Sequence, residues 1–189
     1  NLFKYKNKNF SEFIFGFYER RLKRIVPLLF FFTTITLIVF CLVNPFAFST
    51  FAGIRTALAS LFGLSNIYLY KNSFNYHGGG VELNPFAHTW SLGVEEQFYI
   101  IFPLLIWISG FGKGTNKGKR NFGIILILLT TISFLLFTYA YPINHPFAYF
   151  LLPSRFWEIS IGSLIYLLTT SKSVIFEKIN TIPPIIILA

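Results

Sequence analysis

HTWSLGVEEQFYIIFP, residues 88–103, carries two adjacent carboxylates, Glu95 and Glu96, into an apolar run that continues to Trp107. An ionised side chain costs about 3 kcal/mol at the centre of a membrane helix on insertion scales. Such groups are therefore paired or open to a water-filled cavity. Read as a helix, the stretch places His88, Ser91 and Glu95 at i, i+3 and i+7 on one face. Trp90, Val94 and Gln97 form a neighbouring stripe, and Glu96 and Tyr99 a third. Lipid does not favour such a surface, so the stretch predicts a helix facing other protein or an aqueous pocket.

Composition extends this reading to the whole chain. Only 12% of the 189 residues are charged, against about 25% in an ordinary soluble domain. Phe alone occurs 25 times, too often for a soluble core. Residues 25–43 and 122–141 contain no charged side chain, and each is close to the roughly 20 residues that span a bilayer as a helix. These features predict an integral membrane protein, all-α, built as a polytopic transmembrane helical bundle.

The net charge of +9 does not indicate nucleic acid, because the basic residues cluster between apolar spans. Juxtamembrane Lys and Arg fix topology and meet anionic lipid head groups. Cys41 is the single cysteine, so no intrachain disulfide forms. The three histidines are scattered and no metal-ligand spacing occurs, so no metal site is expected.

Taken in order, residues 1–18 are basic and then aromatic, as in an interfacial segment, with a short helix starting at Ser11-Glu12. ERRLKR, residues 19–24, follows and leads into the span 25–43, which Asn44-Pro45 ends. Arg21 and Arg24 stand at i, i+3, either as a positive-inside anchor or as forks that match phosphate oxygens. Residues 52–70 are apolar but broken by Gly53, Arg55, Gly63, Ser65 and Asn66. The Gly78–Gly80 run lacks the Lys-Ser/Thr of a phosphate loop and reads as a flexible connection. A basic loop at 112–120, a Pro-rich loop at 142–153 containing His145, and a segment at 155–170 opening on RFWE complete the pattern. If the basic clusters, including Lys172 and Lys178, share the cytoplasmic side, crossings between them are even in number. That gives about four spans, at 25–43, 91–109, 122–141 and 155–170, with 52–70 as a re-entrant or interfacial segment. The opening Asn1 and the apolar run after Pro183-Pro184 suggest an internal piece of a longer protein.

FYERRLKRIVP, HTWSLGVEEQFYIIFP and SRFWEISIGSLIYLL occur in the order and approximate spacing seen in acyltransferase family 3. The chain resembles these bacterial integral-membrane O-acyltransferases, which modify cell-surface polysaccharide, lipopolysaccharide or peptidoglycan. The resemblance implies that residues 1–189 are part of one membrane acyltransferase domain, incomplete at both ends, in the bacterial cytoplasmic membrane. It also implies acyl-CoA, commonly acetyl-CoA, as donor substrate, an envelope glycan as acceptor, and a hydrolase-like extracytoplasmic domain as a further partner in some members. Arg21 and Arg24 match the family's Arg-x-x-Arg motif and would meet the CoA phosphates. The family's first helix carries a His used in acyl transfer. His77, His88 and His145 do not match it, so these residues alone are expected to be inactive.

Within the central stretch, Glu95 is the carboxylate expected to matter, with Ser91 supporting it on the same face. Pairing of Glu95 with Arg155 is the structural alternative. A His88–Ser91–Glu95 triad is disfavoured, because a His one turn before the Ser on one helix does not sit between both partners. Arg155 and Glu158, at i, i+3, are placed to pair with each other. Composition alone also suits a transporter or flippase for an envelope lipid or sugar intermediate, or a membrane sensor; only the three motifs favour the transferase.

Overall fold

The computed structural model describes residues 10–43, 48–73 and 84–170, all helix or short turn. Asn44-Pro45, His77, the Gly78–Gly80 run, Lys172 and Lys178 lie outside the described residues. Seven α-helices follow in order: α1 Phe10–Val43, α2 Phe48–Leu61, α3 Ser65–Asn72, α4 Trp90–Ile108, α5 Asn116–Ile143, α6 His145–Phe150 and α7 Leu152–Thr170. Among the described residues, three apolar stretches are long enough to cross a membrane: Ser11–Val43, Ala87–Ile108 and Asn116–Ile143. The fourth expected span is α7, of similar length to α4 but less apolar because Arg155 and Glu158 occupy its first turns.

The burial pattern is that of a membrane protein. Phe30, Phe31 and Phe32 of α1 and Ile127, Leu128, Ile132 and Leu135 of α5 are exposed, whereas Thr56, Ser65, Asn66, Ser154 and Ser160 are buried. Apolar side chains facing outward cost nothing against lipid, and the polar groups are satisfied between helices. Thr130 and Ser160 join their hydroxyls at 2.7 Å across α5 and α7. Ser133 Oγ donates to the Pro153 carbonyl at 2.7 Å and accepts from the Trp157 N–H at 3.1 Å. Those two groups would pair within α7, so Ser133 inserts into its backbone ladder and ties the two helices together.

Two expectations change. The described part of the interfacial segment, from Phe10, is continuous with the following span, so α1 runs 34 residues, with Pro27 inside it. The Lys23–Glu19 pair at 2.6 Å supports that continuity at helical spacing. The Pro-rich loop is mostly helix: α5 extends through Pro142, and Asn144 then caps α6, its Oδ1 accepting from the Phe147 N–H at 3.0 Å. Pro146 is tolerated there because a first-turn proline gives up an N–H that has no helical partner.

Residues 52–70 form two short helices rather than one continuous helix. The turn that closes α2 carries Gly63, whose φ of 66° is left-handed. The Gly63 N–H donates to Ser60 O at 3.1 Å and Leu64 N–H to Ala59 O at 2.8 Å, the pair of bonds of a Schellman turn. At one end of α2, Gly53 lies beside Phe40 and Pro85; at the other, Gly63 lies against Glu96. Helix α3 then turns back, so that Tyr70 meets Phe147 edge-on. The two helices thus form a hairpin packed beside α4, with Gly63 at its tip.

Candidate active site

Helix α1 meets α4 where the two motifs cross. The Tyr18 hydroxyl donates toward the carbonyls of Tyr99 and Ile100 at 3.2 and 3.3 Å. One turn later, the Arg21 guanidinium stacks on the Tyr99 ring, 3.3 Å from its centroid. Stacking occupies the flat face of the guanidinium and leaves its N–H edge directed in plane, where an anion is met. Arg24 is exposed on the same side of the bundle. The two arginines of the motif thus differ: Arg21 is fixed and half-buried, Arg24 reaches outward.

Arg21 sits at the edge of a cavity of about 420 Å³ between α1, α4 and α7. Phe17 lines it from α1, Tyr99 and Phe102 from α4, and Gly162 and Ser163 from α7. The core rings Phe98, Phe111 and Phe122, all nearly fully buried, close its floor.

The central stretch forms the predicted helix, but its faces are used differently. His88, Ser91 and Glu95 are all exposed, so the face they share points out of the described bundle. The Ser91 hydroxyl approaches only the His88 carbonyl, at 3.4 Å, and no triad forms. Glu95 does not pair with Arg155. Glu96 is the inward carboxylate: it is half-buried, touches Gly63 at the hairpin tip, and lies within the field of Arg21 without a direct ion pair. The inner side of α4 is set by Gly93, Val94, Gln97 and Phe98, and Glu96 borders that side.

Gln97 has a role that its sequence position did not disclose. Its side-chain amide donates to Asn66 Oδ1 at 2.8 Å and to Gly63 O at 3.3 Å. Asn66 Nδ2 in turn donates to Gln97 Oε1 at 3.3 Å and to Phe150 O at 3.1 Å. This reciprocal carboxamide pair fastens the hairpin tip to α4 beside Glu96. Gly93 permits the approach, since a Cβ there would lie 2.8 Å from Asn66 Oδ1.

A second charged cluster lies nearer the N-terminal ends of α4 and α7. The Arg155 guanidinium pairs with Glu158, as the spacing predicted. It also stands 5.0 to 5.7 Å from the rings of Trp90, Tyr149 and Phe137. Trp90 and Tyr99 are nine residues apart, or about 13 Å along a helix, so this cluster is separate from the Arg21 cavity.

Comparison with known proteins identifies the family. Residues 10–177 match a family model described as an acyltransferase domain. A Haemophilus influenzae protein of uncharacterized function is 35% identical over 173 residues, covering 88% of this chain and 69% of that protein. The O-acetyltransferase OatA of Staphylococcus aureus is 34% identical over 90 residues, covering 48% of this chain and 14% of the relative. The Bacillus subtilis protein YrhL, named for peptidoglycan O-acetyl transfer, is 27% identical over 158 residues, 82% of this chain and 24% of its own length. The chain therefore spans a minor part of the two named relatives. No solved structure matches it significantly. With the family model covering nearly all of the described residues, the chain belongs to acyltransferase family 3 and is an acyltransferase domain of the membrane-embedded kind.

Proposed function

We propose that this domain works within a membrane O-acyltransferase that takes an acyl group, acetyl in the first instance, from cytoplasmic acyl-CoA and delivers it to a cell-envelope glycan. The observation that carries the proposal is Arg21, held against Tyr99 at the edge of a cavity large enough for a small-molecule ligand. On this reading Arg21 and Arg24 hold the CoA phosphates. Glu96, rather than the expected Glu95 and Ser91, is the carboxylate within the field of Arg21 and would serve the transfer. The named relatives support O-acetyl transfer over the transporter or flippase alternative. The protein would reside in the cytoplasmic membrane with its donor cavity open to the cytoplasm.

The test is acyl-CoA binding to the full-length membrane protein. A hydrogen-bonded charge contributes about 1.5–3 kcal/mol, so Arg21→Ala should weaken acetyl-CoA by roughly ten- to a hundredfold. Arg21→Lys keeps the charge but loses the fork and the stacking, and should still lose most of that. Arg24→Ala, at an exposed site, should lose less. Unchanged affinity in the double Arg21→Ala, Arg24→Ala variant would leave the motif an anchor and remove the donor role.

A further inference from the structure

Pro103, the closing residue of the central motif, sits inside α4 and is almost fully buried. A proline has no N–H, and its ring crowds the carbonyl four residues before it. That carbonyl is the one of Tyr99, which therefore has no helical partner at the fourth position. Within a membrane bundle a freed carbonyl needs a donor from the protein itself. The Tyr18 hydroxyl of α1 is such a donor, 3.2 Å from Tyr99 O and 3.3 Å from Ile100 O. We propose that Tyr18 is a positioning residue for acyl transfer, its hydroxyl supplying the hydrogen bond that Pro103 withholds and so fixing the turn of α4 that carries Tyr99 and Glu96.

The same face of α1 holds Tyr99 twice. Tyr18 and Arg21 stand at i, i+3 and are neighbours on a helix surface. One binds the Tyr99 backbone, and the other covers its ring at 3.3 Å from the centroid. The Tyr18 ring is itself braced by Phe17, edge-on at 5.5 Å. A proline is also where a helix bends, so the bond controls how the two halves of α4 meet. The half before Pro103 carries Gly93, Glu96 and Gln97 and is seated on the hairpin. The half after it leads to Phe111 in the floor of the cavity. A bend at Tyr99 would shift Glu96, one turn earlier, relative to Arg21. The inference rests on the proposed function for the roles of Arg21 and Glu96, whereas the coupling of Tyr18 to Pro103 does not depend on the donor.

The full-length protein in nanodiscs is compared as the native chain, Tyr18→Phe, Pro103→Ala and the double variant. Tyr18→Phe keeps the ring and removes only the donor. Pro103→Ala restores an N–H and gives the Tyr99 carbonyl a helical partner. Tyr18→Phe should lower kcat/KM for acetyl-CoA about two- to tenfold, what one neutral hydrogen bond contributes, and by less than about twofold when Pro103→Ala is already present. An equal loss in both backgrounds would overturn the inference, because the hydroxyl would then act on something other than the freed carbonyl. No loss in the single variant would overturn it as well. Deuterium exchange without any donor gives a second reading that does not need the proline variant to fold. Peptides covering residues 99–106 should exchange faster in Tyr18→Phe than in the native chain, with residues 126–133 of α5 unchanged. Unchanged exchange at 99–106 would count against the bond, and faster exchange in both segments would make Tyr18 a general packing residue; either result overturns the inference. If Arg21→Ala spares acetyl-CoA binding while exchange at 99–106 still depends on Tyr18, the positioning bond stands and the donor reading fails.

Discussion

Glu95 and Glu96 point about 100° apart on α4, and the bundle makes opposite use of them. The sequence showed that this helix carries carboxylates and faces protein, but not which carboxylate faces in. Choosing the most polar face as the inner one favoured Glu95, and that face is the exposed one. The better signal was Gly93, because small residues in membrane helices mark where a neighbour approaches closely. Gly93 and Gln97 share a side that meets the hairpin, and Glu96 borders it. Glu96→Gln in the full-length protein is therefore expected to lower acyl transfer about a hundredfold, the scale of a positioned acid–base group, with folded yield unchanged. Glu95→Gln should stay within about twofold, as for an exposed substitution. The reverse ranking, measured as acyl groups delivered to surface glycan, would return the role to Glu95.

At the scale of elements, the hairpin of α2 and α3 was half legible. Gly63, Ser65 and Asn66 announced a break in an apolar stretch, and the Schellman turn at Gly63 is what such a glycine provides. What holds the hairpin was hidden, because Asn66 and Gln97 are 31 residues apart in sequence and nothing local specifies their pairing. The Pro-rich stretch misled for a related reason. Pro142 and Pro146 suggest a loop, but one ends a long helix and the other begins a short one under the Asn144 cap. The close approach of α3 to α4 makes a sharp prediction. Gly93→Ala places a methyl 2.8 Å from Asn66 Oδ1 and 3.1 Å from Ser65 Oγ, an overpacking that costs about 1–3 kcal/mol. Thermal unfolding in detergent should show that loss for Gly93→Ala and none for Gly123→Ala, which has open space. Equal stability of the two variants would mean that the hairpin is not seated on α4 as described.

For the molecule as a whole, charge pattern and packing converge on one orientation. Arg21 stacks on Tyr99, next to the cavity whose floor includes Phe111 and Phe122, so the basic stretch of α1 lies at the same end of the bundle as Lys117–Arg120 at the start of α5. Pro85, Tyr70, Phe147 and Tyr149 gather toward the other end, with the mouth of the hairpin. Positive loops resist translocation, so the expected orientation has the Arg21 cavity on the cytoplasmic side. Helix α5 has 28 residues, about 42 Å at about 1.5 Å per residue, longer than a hydrocarbon core of about 30 Å. Its ends are therefore expected to emerge on opposite sides. In a background with Cys41→Ala, a cysteine at Asn116 should resist an impermeant thiol reagent in intact cells. Asn116 serves better than Thr115, whose hydroxyl caps α5 by accepting from the Gly118 N–H. Cysteines at Ile143, at the far end of α5, and at Lys71, at the returning end of the hairpin, should both be labelled. Labelling at Asn116 with protection at Ile143 would invert the orientation and detach the cavity from any cytoplasmic donor. Protection at Lys71 alone would show that α2 and α3 together cross the membrane, and the hairpin would then be a broken span.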